Sequence, residues 1–361
     1  MLLKPGGRRF SLQENPSSHI QEMTSFRRPL RELTQLDGAI ATPTVAYPAS
    51  RTFTGVIYDS HGLICGVAQR TRCGNNEWHP SDPETISVGM PIRTVQGRSL
   101  YLGHYTGHYG HFLLETLARL WPLHGSNLHA NGYDKVVFHP FLHKTPSINK
   151  FSPAKISLAS FGIQAKDVVF VTEPLRFETL TVPSALLEIN HVVDRGMART
   201  YQNITQYCLS VRSSLPGFWR NFSGWETEGP LRLYLSRRRA KGYHPMSNEL
   251  QVERIFINAG FKVLHPEHWR FEQQVALFQR AEVIAGVEGS ALNNSVFMRP
   301  GKLVINIGTA REPSGDILNQ RLCDSLSETI SAHIPFRGTV LRGHKAVYDI
   351  DFIRRSLNGF I

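Results

Sequence analysis

The chain has 361 residues, a length that fits two domains or one large one. With 41% hydrophobic and 19% charged residues it has the composition of an ordinary soluble globular protein. No apolar run approaches the ~20 residues that a membrane-spanning helix requires. The first ten residues contain no apolar stretch of signal-peptide length, so we expect a cytoplasmic protein.

The net charge of +11 indicates an anionic partner: nucleic acid, a membrane surface, or phosphate or carboxylate groups on a substrate. The basic residues are widely spread and no RNA-binding aromatic signature accompanies them, so we expect no nucleic acid partner. The arginine-rich N-terminal arm permits a weak peripheral association with the inner face of a membrane. Four cysteines without a C-x-x-C pair predict free thiols in a reducing compartment, at Cys65, Cys73, Cys208 and Cys323.

The first half of the chain alternates strand and helix patterns after a polar arm. In order, the pattern predicts an arm over 1–45, a hairpin over 53–68, strand 99–102, helix 112–121, strand 135–138, helix 156–161 and strand 167–171. Alternation of this kind is typical of an α/β protein with a parallel sheet.

The second half shows the alternation more clearly, after a stretch rich in glycine, proline and aromatic residues at 216–230 that we interpret as a domain boundary. It predicts strand 231–235, a helix over 249–259 capped by Asn248 or Ser247, strand 261–264, helix 271–280, strand 283–285, a short helix ending near 297 and strand 303–307. This half is Rossmann-like. We therefore expect a basic arm (1–45), an N-terminal α/β domain (46–225), a C-terminal Rossmann-like domain (226–335) and a final segment (336–361) that packs back on the N-terminal domain.

A glycine turn follows the strand at 283–285. Gly286 and Gly289 allow positive φ and close approach of a ligand, and the start of the following helix favours an anion at Ser290. The full G-x-G-x-x-G fingerprint and the P-loop lysine are absent, so the alternative is a turn that needs glycine only for its geometry.

A basic run follows the strand at 231–235, so it lies at the same carboxyl edge of the predicted sheet. It contains Arg237, Arg238, Arg239 and Lys241. Guanidinium groups pair bidentately with phosphate, and such a run beside a glycine turn suits a pyrophosphate without a metal. The alternative is a solvated basic loop.

The stretch GHYTGHYGHFLLE at 103–115 groups three histidines with a glutamate. In a helix that begins near His111, Glu115 lies on the same face and orients the imidazole, as a proton-abstracting pair requires. Three alternatives remain: Glu115 forms a surface pair with Arg119, the histidines are structural, or His104, His108 and His111 bind zinc. Against zinc, the intervening glycines disfavour one rigid helix that carries all three.

Three segments in order resemble glycosyltransferase family 61. GHFLLETLARLW at 110–121 is similar to that family's GH-(F/W)-LL-(D/E)-TLPRL segment, LSRR at 235–238 with NEL at 248–250 is similar to its SR…NE…L stretch, and GVEGSALNN at 286–294 resembles its glycine turn. Three departures are Ala118, where proline is common, Glu288, where several members carry histidine, and Asn306, where many members carry glutamate.

The resemblance implies a GT-B fold, with two Rossmann-like domains facing across a cleft. It implies a metal-independent, inverting transfer from a nucleotide-activated sugar, without a cofactor, to a glycan or lipid-linked glycan in surface-polysaccharide or capsule synthesis. By this resemblance we expect the acceptor and the base in the N-terminal domain, with His111 supported by Glu115, or Glu115 alone, as the base and with His104 and His108 on the acceptor side. We likewise expect the C-terminal domain to bind the donor, through Arg237, Arg238, Lys241, Asn248, Glu288, Gly289, Ser290, Ala291 and Asn293.

Two other functions fit the same residues. A polysaccharide-modifying transferase of the pyruvyl-transferase type would use a donor with phosphate but no nucleotide. A non-catalytic binder of acidic glycans would use the positive net charge.

Overall fold

Two sheets organise the protein, and each belongs to its own compact unit. The structure, a computed structural model, describes residues 31–69, 79–88, 93–141, 146–212, 230–240, 246–310, 315–341 and 345–361. Of these, the N-terminal unit comprises 31–212 and 270–277, and the C-terminal unit comprises 230–269 and 278–361. In the described part of the chain, no helix has the length and apolar character needed to cross a membrane.

The N-terminal unit contains a mixed sheet and several short strands. Its strands are β1 (Leu33–Asp37), β2 (Ile40–Ala41), β3 (Val45–Tyr47), β4 (Thr52–Thr54), β5 (Ile57–Tyr58), β6 (His79–Pro80), β7 (Arg93–Tyr105), β8 (Lys135–Pro140), β9 (Val168–Phe170), β10 (Leu175–Pro183), β11 (Leu187–Glu188) and β12 (Val192–Val193). Its helices are α1 (Tyr109–Leu114), α2 (Ser152–Ala159) and α3 (Met197–Arg212), with 3-10 helices at Gly66–Ala68, Thr116–Arg119, Trp121–Leu123, His129–Asn131, Ile148–Lys150 and Ala165–Asp167.

The main sheet of this unit has the order β5-β2-β10-β7-β8-β9, and β1 also pairs with β10. The pairs β10–β7, β7–β8 and β8–β9 are parallel, whereas β1 and β2 run antiparallel to β10. The second half of β7, from Ser99 to Tyr105, is buried throughout, as expected for a central strand covered on both faces. This central strand leads directly into α1 and the histidine-rich stretch.

The C-terminal unit is built on a five-stranded parallel sheet. Its strands are β13 (Leu231–Leu235), β14 (Lys262–Leu264), β15 (Ala281–Val287), β16 (Leu303–Ile307) and β17 (Ile330–Ile334), followed by the hairpin β18 (Gly338–Val340) and β19 (Ala346–Tyr348). Its helices are α4 (Glu249–Asn258), the last residues of α5 (Phe271–Arg280), α6 (Gly315–Ser327) and α7 (Ile350–Phe360), with 3-10 helices at Pro266–His268 and Leu292–Phe297. The residues of α5 up to Leu277 belong to the N-terminal unit.

The strand order β14-β13-β15-β16-β17 is the doubly wound order 2-1-3-4-5. The sequence alternation thus correctly predicted a mixed α/β protein with a parallel sheet in its second half. In such sheets the chain reverses direction of travel between the first and third strands, here β13 and β15, and ligands bind beyond their carboxyl ends. The arginine run follows β13 and the glycine turn follows β15, so both lie at this switch point.

Two predicted features differ from the structure. The helix expected over 112–121 is instead α1, which ends at Leu114, and two 3-10 helices. Pro122 has no N–H to continue an α-helix, and the Thr116 hydroxyl donates to the His104 carbonyl at 2.9 Å, which holds the chain against β7. The hairpin expected over 53–68 is reduced to β5 and a single bridge between Tyr58 and Ile64.

The C-terminal segment contributes to the core of the C-terminal unit. Helix α7 packs in this core, where Ile353 and Leu357 join Val252 and Phe256 of α4. Both α7 residues are about 1% exposed. The segment 336–361 is therefore part of this unit.

Candidate active site

His111 and Glu115 form a short hydrogen bond in the N-terminal unit. His108 is the N-cap of α1, His111 is its third residue, and Glu115 is its C-cap. The His111 Nδ1 atom lies 2.6 Å from Glu115 Oε2, and the Glu115 N–H donates to the His111 carbonyl at 2.8 Å. The imidazole is 33% exposed and the carboxylate 11% exposed. The spacing of four residues thus places the pair as predicted, at a helix that begins close to His111.

The other two histidines lie in different surroundings. The exposed His108 ring is 5.0 Å from the His111 ring, centroid to centroid. His104 is 6% exposed, and its ring packs against Phe53 and His139. Within the described ranges no group of three or more histidine, cysteine or acidic side chains is placed to hold a metal ion. The three histidines therefore do not converge on one point.

A pocket borders the carboxylate of the pair. Its cavity volume is about 40 Å³, within about 410 Å³ of space that includes open solvent, and it lies wholly within the N-terminal unit. Its lining residues come from the end of β7, the chain after α1, the segment after β10 and the end of the described range 31–69. They are Gly103, His104, Glu115, Arg119, Ala185, Leu187, Glu188, Ile189 and Gln69. Glu115 thus lines a pocket of the N-terminal unit.

Arg119 is not the surface partner of Glu115. Its side chain is buried, at 6% exposed, and its guanidinium donates to the carbonyls of Val67, Gln69 and Pro183. Desolvation lowers the pKa of Arg119. The alternative of a surface Glu115–Arg119 pair is therefore wrong, because three backbone carbonyls from other segments bind the arginine.

In the C-terminal unit, Arg237 lies against the glycine turn. Gly289 has φ of +134°, and a Cβ on it would lie 3.0 Å from Arg237 Nη1. The Arg237 side chain is half-buried, and its backbone N–H donates to Glu249 Oε1 at 2.8 Å. The structure thus brings together the arginine and the glycine turn that the sequence placed at one sheet edge.

The rest of the arginine run has other partners. Arg238 pairs with Glu253 through Nε at 3.0 Å, and that carboxylate also accepts from the Ser236 hydroxyl at 2.7 Å. Arg239 is exposed, and Lys241 lies outside the described residues. Arg237 is therefore the arginine of this run that faces the glycine turn, and Arg238 fixes the loop to α4.

The glycine turn exposes a short length of backbone. Gly289, Ser290 and Ala291 are half-buried, whereas the residues on both sides of them are buried. The helix that follows, Leu292–Phe297, is a 3-10 helix of 6 residues and not the α-helix start that the sequence suggested. The dipole of a full α-helix is therefore missing here, and Arg237 is a cationic side chain that lies against the turn.

Glu288 points away from the half-buried backbone of the turn. It is 2% exposed, and its carboxylate accepts a hydrogen bond from the Thr309 hydroxyl in the loop after β16. Its backbone N–H donates to Ile307 at 2.9 Å. A carboxylate that would repel a pyrophosphate is thus turned into the protein and links two loops of the sheet edge.

Two predicted donor residues have structural contacts. The Asn248 side chain binds both backbone groups of Tyr348, accepting from the N–H at 2.9 Å and donating to the carbonyl at 3.0 Å. Asn293 is buried in the 3-10 helix, at 6% exposed. We therefore leave Asn248 out of the proposed donor site.

Sequence reasoning missed the two glutamates that hold the arginine loop. Glu249 and Glu253 lie four residues apart on α4 and bind the loop at Arg237 N–H and Ser236. Burial raises the pKa of Glu249, against the effect of the hydrogen bond from Arg237. The signal was present, because Glu249 is the glutamate of the NE pair that resembles the family's second segment.

A comparison with known families gives a match over the central part of the chain. The model of the family Glycosyltransferase 61 matches residues 109–305, more than half of the 361 residues. The chain belongs to this family, which implies glycosyltransferase activity on a sugar donor and a glycan acceptor in general terms. No curated protein gives a significant match. The matched range contains the His111–Glu115 pair, the arginine loop and the glycine turn.

Proposed function

We propose that the protein is an inverting, metal-independent glycosyltransferase that moves a sugar from a nucleotide-activated donor to a hydroxyl of a glycan, in surface-polysaccharide synthesis. The observation that carries the proposal is the 2.6 Å His111–Glu115 bond beside a pocket. With it we propose a GT-B arrangement of the two units and a cytoplasmic location.

In the proposed reaction Glu115 takes the proton of the acceptor hydroxyl, because its carboxylate borders the pocket while His111 holds that carboxylate in place. The hydroxyl oxygen then attacks the anomeric carbon of the donor. The bond from that carbon to the β-phosphate oxygen breaks, which inverts the configuration and releases a nucleoside diphosphate.

The leaving nucleoside diphosphate carries the negative charge that develops in this step. We propose that Arg237 and the backbone of Gly289 to Ala291 stabilise it at the switch point between β13 and β15. Arg237 is held by Glu249 through its backbone, so the guanidinium stays directed at the turn. Charge stabilisation of this kind supplies the larger catalytic term in many enzymes.

The test measures release of the nucleotide from four donor classes, with p-nitrophenyl glycosides as acceptors and EDTA present. UDP-, GDP- and TDP-sugars release a nucleoside diphosphate, and CMP-sugars release CMP. We expect turnover with one donor, and a loss of about 10²- to 10⁴-fold in Glu115→Gln. Glu84→Gln, an exposed glutamate of the same unit, is the matched control and should keep full activity. Equal rates in Glu115→Gln and the wild type would remove Glu115 from the mechanism.

A further inference from the structure

The pocket beside Glu115 has a second wall that the proposed mechanism does not use. This wall contains Leu187, Glu188 and Ile189, from β11 and the turn that follows it. The Leu186 N–H donates to the Ala118 carbonyl at 2.9 Å, so the hairpin is fixed to the 3-10 helix after Glu115. The half-buried Glu188 therefore faces the same space as the proposed base.

The charges that line this pocket are mostly negative. Glu115 and Glu188 bring two carboxylates, and Arg119 is the one lysine or arginine among its described lining residues. The guanidinium of Arg119 is buried and donates to three backbone carbonyls of the protein. Its hydrogen bonds are thus directed at the protein's own backbone and not at an anionic ligand, although its charge still acts on Glu188.

The other lining residues are uncharged in side-chain type or titrate as histidine: Gln69, Gly103, His104, Ala185, Leu187 and Ile189. Gly103 has φ of +82°, and a Cβ on it would lie 3.2 Å from Arg119, so the wall on that side is tightly packed. The ring of His104 packs against Phe53, 5.4 Å between centroids. Leu187 and Ile189 are buried apolar residues. A ligand therefore meets apolar surface, the half-buried residue Gln69 and two carboxylates, whose oxygens accept hydrogen bonds from hydroxyl groups.

We propose that this pocket binds the acceptor sugar, that Glu188 accepts a hydrogen bond from one of its hydroxyls, and that the pocket selects a neutral ring over one that carries a carboxylate. The proposal rests on the proposed function and adds the acceptor class to it. An acidic ring would bring a third negative charge beside Glu115 and Glu188, which disfavours it. The selection opposes the attraction of acidic glycans that the net charge of +11 suggests.

The test compares two acceptors that differ at one group: p-nitrophenyl β-glucoside, with a hydroxymethyl group at C5, and p-nitrophenyl β-glucuronide, with a carboxylate there. We expect the wild type to prefer the glucoside at least tenfold in kcat/KM. Glu188→Gln should raise KM for the glucoside about tenfold, change kcat less, and lower the preference over the glucuronide by a similar factor. Glu84→Gln should match the wild type in all of these values.

A binding measurement separates failure of this inference from failure of the proposed function. Saturation-transfer NMR on the full chain with methyl β-glucoside and methyl β-glucuronide reports the preference without turnover. A glucoside preference that Glu188→Gln reduces supports the inference even if no donor is turned over. Equal binding of both sugars, no binding of either, or a preference unchanged in Glu188→Gln overturns it.

Discussion

The His111–Glu115 bond of 2.6 Å divides the work between its two residues. If Glu115 is the base, His111 acts by holding the carboxylate, so replacing His111 should lower kcat less than replacing Glu115. We expect His111→Asn to lower kcat about 10-fold and Glu115→Gln about 10²- to 10⁴-fold, with donor KM unchanged in both. Steady-state kinetics on the donor identified above measures this. An equal or larger loss in His111→Asn would contradict this division of roles.

The proposed donor site requires a glycine at position 289. In Gly289→Ala the alanine is strained at positive φ, and its methyl group contacts Arg237 Nη1. Nucleoside diphosphate binding should therefore weaken about tenfold. Gly301→Ala is the matched control in the same unit, because Gly301 also has positive φ but no atom within 4 Å of its Cβ position. Calorimetry on both variants measures the effect.

Both glycine variants should lose about 1 kcal/mol of unfolding free energy through backbone strain. Only Gly289→Ala should lose affinity. Wild-type affinity in Gly289→Ala would show that Arg237 and the turn do not act together on the diphosphate.

At single residues the sequence predicted local pairs well and distant partners poorly. His111 and Glu115 were paired correctly, since helical spacing alone decides that contact. Arg119 has the same spacing from Glu115 but binds carbonyls at residues 67, 69 and 183. No spacing rule relates these segments, so its burial followed only from the tertiary fold.

Among the elements, α6 is joined to the 3-10 helix after the glycine turn through a buried carboxylate. Asp324 accepts hydrogen bonds from Ser295 at 2.9 Å, Gln320 at 2.7 Å and Ser331. Burial raises the pKa of Asp324 to about 6, against these hydrogen bonds. The folded protein therefore holds this proton more tightly than the unfolded chain, whose value lies near 3.8.

The raised pKa of Asp324 predicts a pH dependence of stability with a definite sign. The contribution is greatest when the group is protonated and declines as pH rises from about 4 to about 6. The unfolding free energy of the wild type minus that of Asp324→Asn should thus fall by about 2 kcal/mol between pH 4.5 and 7.5. Urea denaturation of both proteins across this range measures the difference, and parallel curves would contradict the account.

Substitutions in helix α7 test whether the C-terminal segment packs in the core of the C-terminal unit. Leu357 is about 1% exposed in the core of the C-terminal unit, so Leu357→Ala should cost about 2–4 kcal/mol of unfolding free energy. Arg355→Ala, on the exposed side of the same helix, should change it by less than ~0.5 kcal/mol. Equal, small effects of both substitutions would mean that α7 does not pack on this core.

The elements themselves were largely readable from apolar runs. Strands β13 and β16 and helix α5 have the predicted bounds, because buried parallel strands are short apolar runs between turn residues. The helix over 112–121 was wrong, since its apolar spacing hides the change to 3-10 geometry at Glu115. Apolar spacing reports which face is buried and not how the backbone hydrogen bonds are arranged.

At the scale of the whole molecule, strand order is what the sequence could not supply. Alternating elements predicted a parallel sheet, but pairing depends on contacts between residues far apart in the chain. The order β14-β13-β15-β16-β17 places Arg237 beside Gly289, although the two residues are 52 residues apart in the sequence. The proximity of Arg237 to Gly289 therefore depends on the tertiary fold, whereas the contact between His111 and Glu115 follows from helical spacing.

The most direct test of the central claim is isothermal titration of UDP, GDP, TDP and CMP into the full chain with EDTA present. We expect one nucleotide to bind the wild type and Glu115→Gln with the same Kd, Arg237→Ala to bind it about 10- to 100-fold more weakly, and Arg239→Ala, an exposed arginine of the same loop, to match the wild type. No binding by any of the four nucleotides, or an unchanged Kd in Arg237→Ala, would contradict the account.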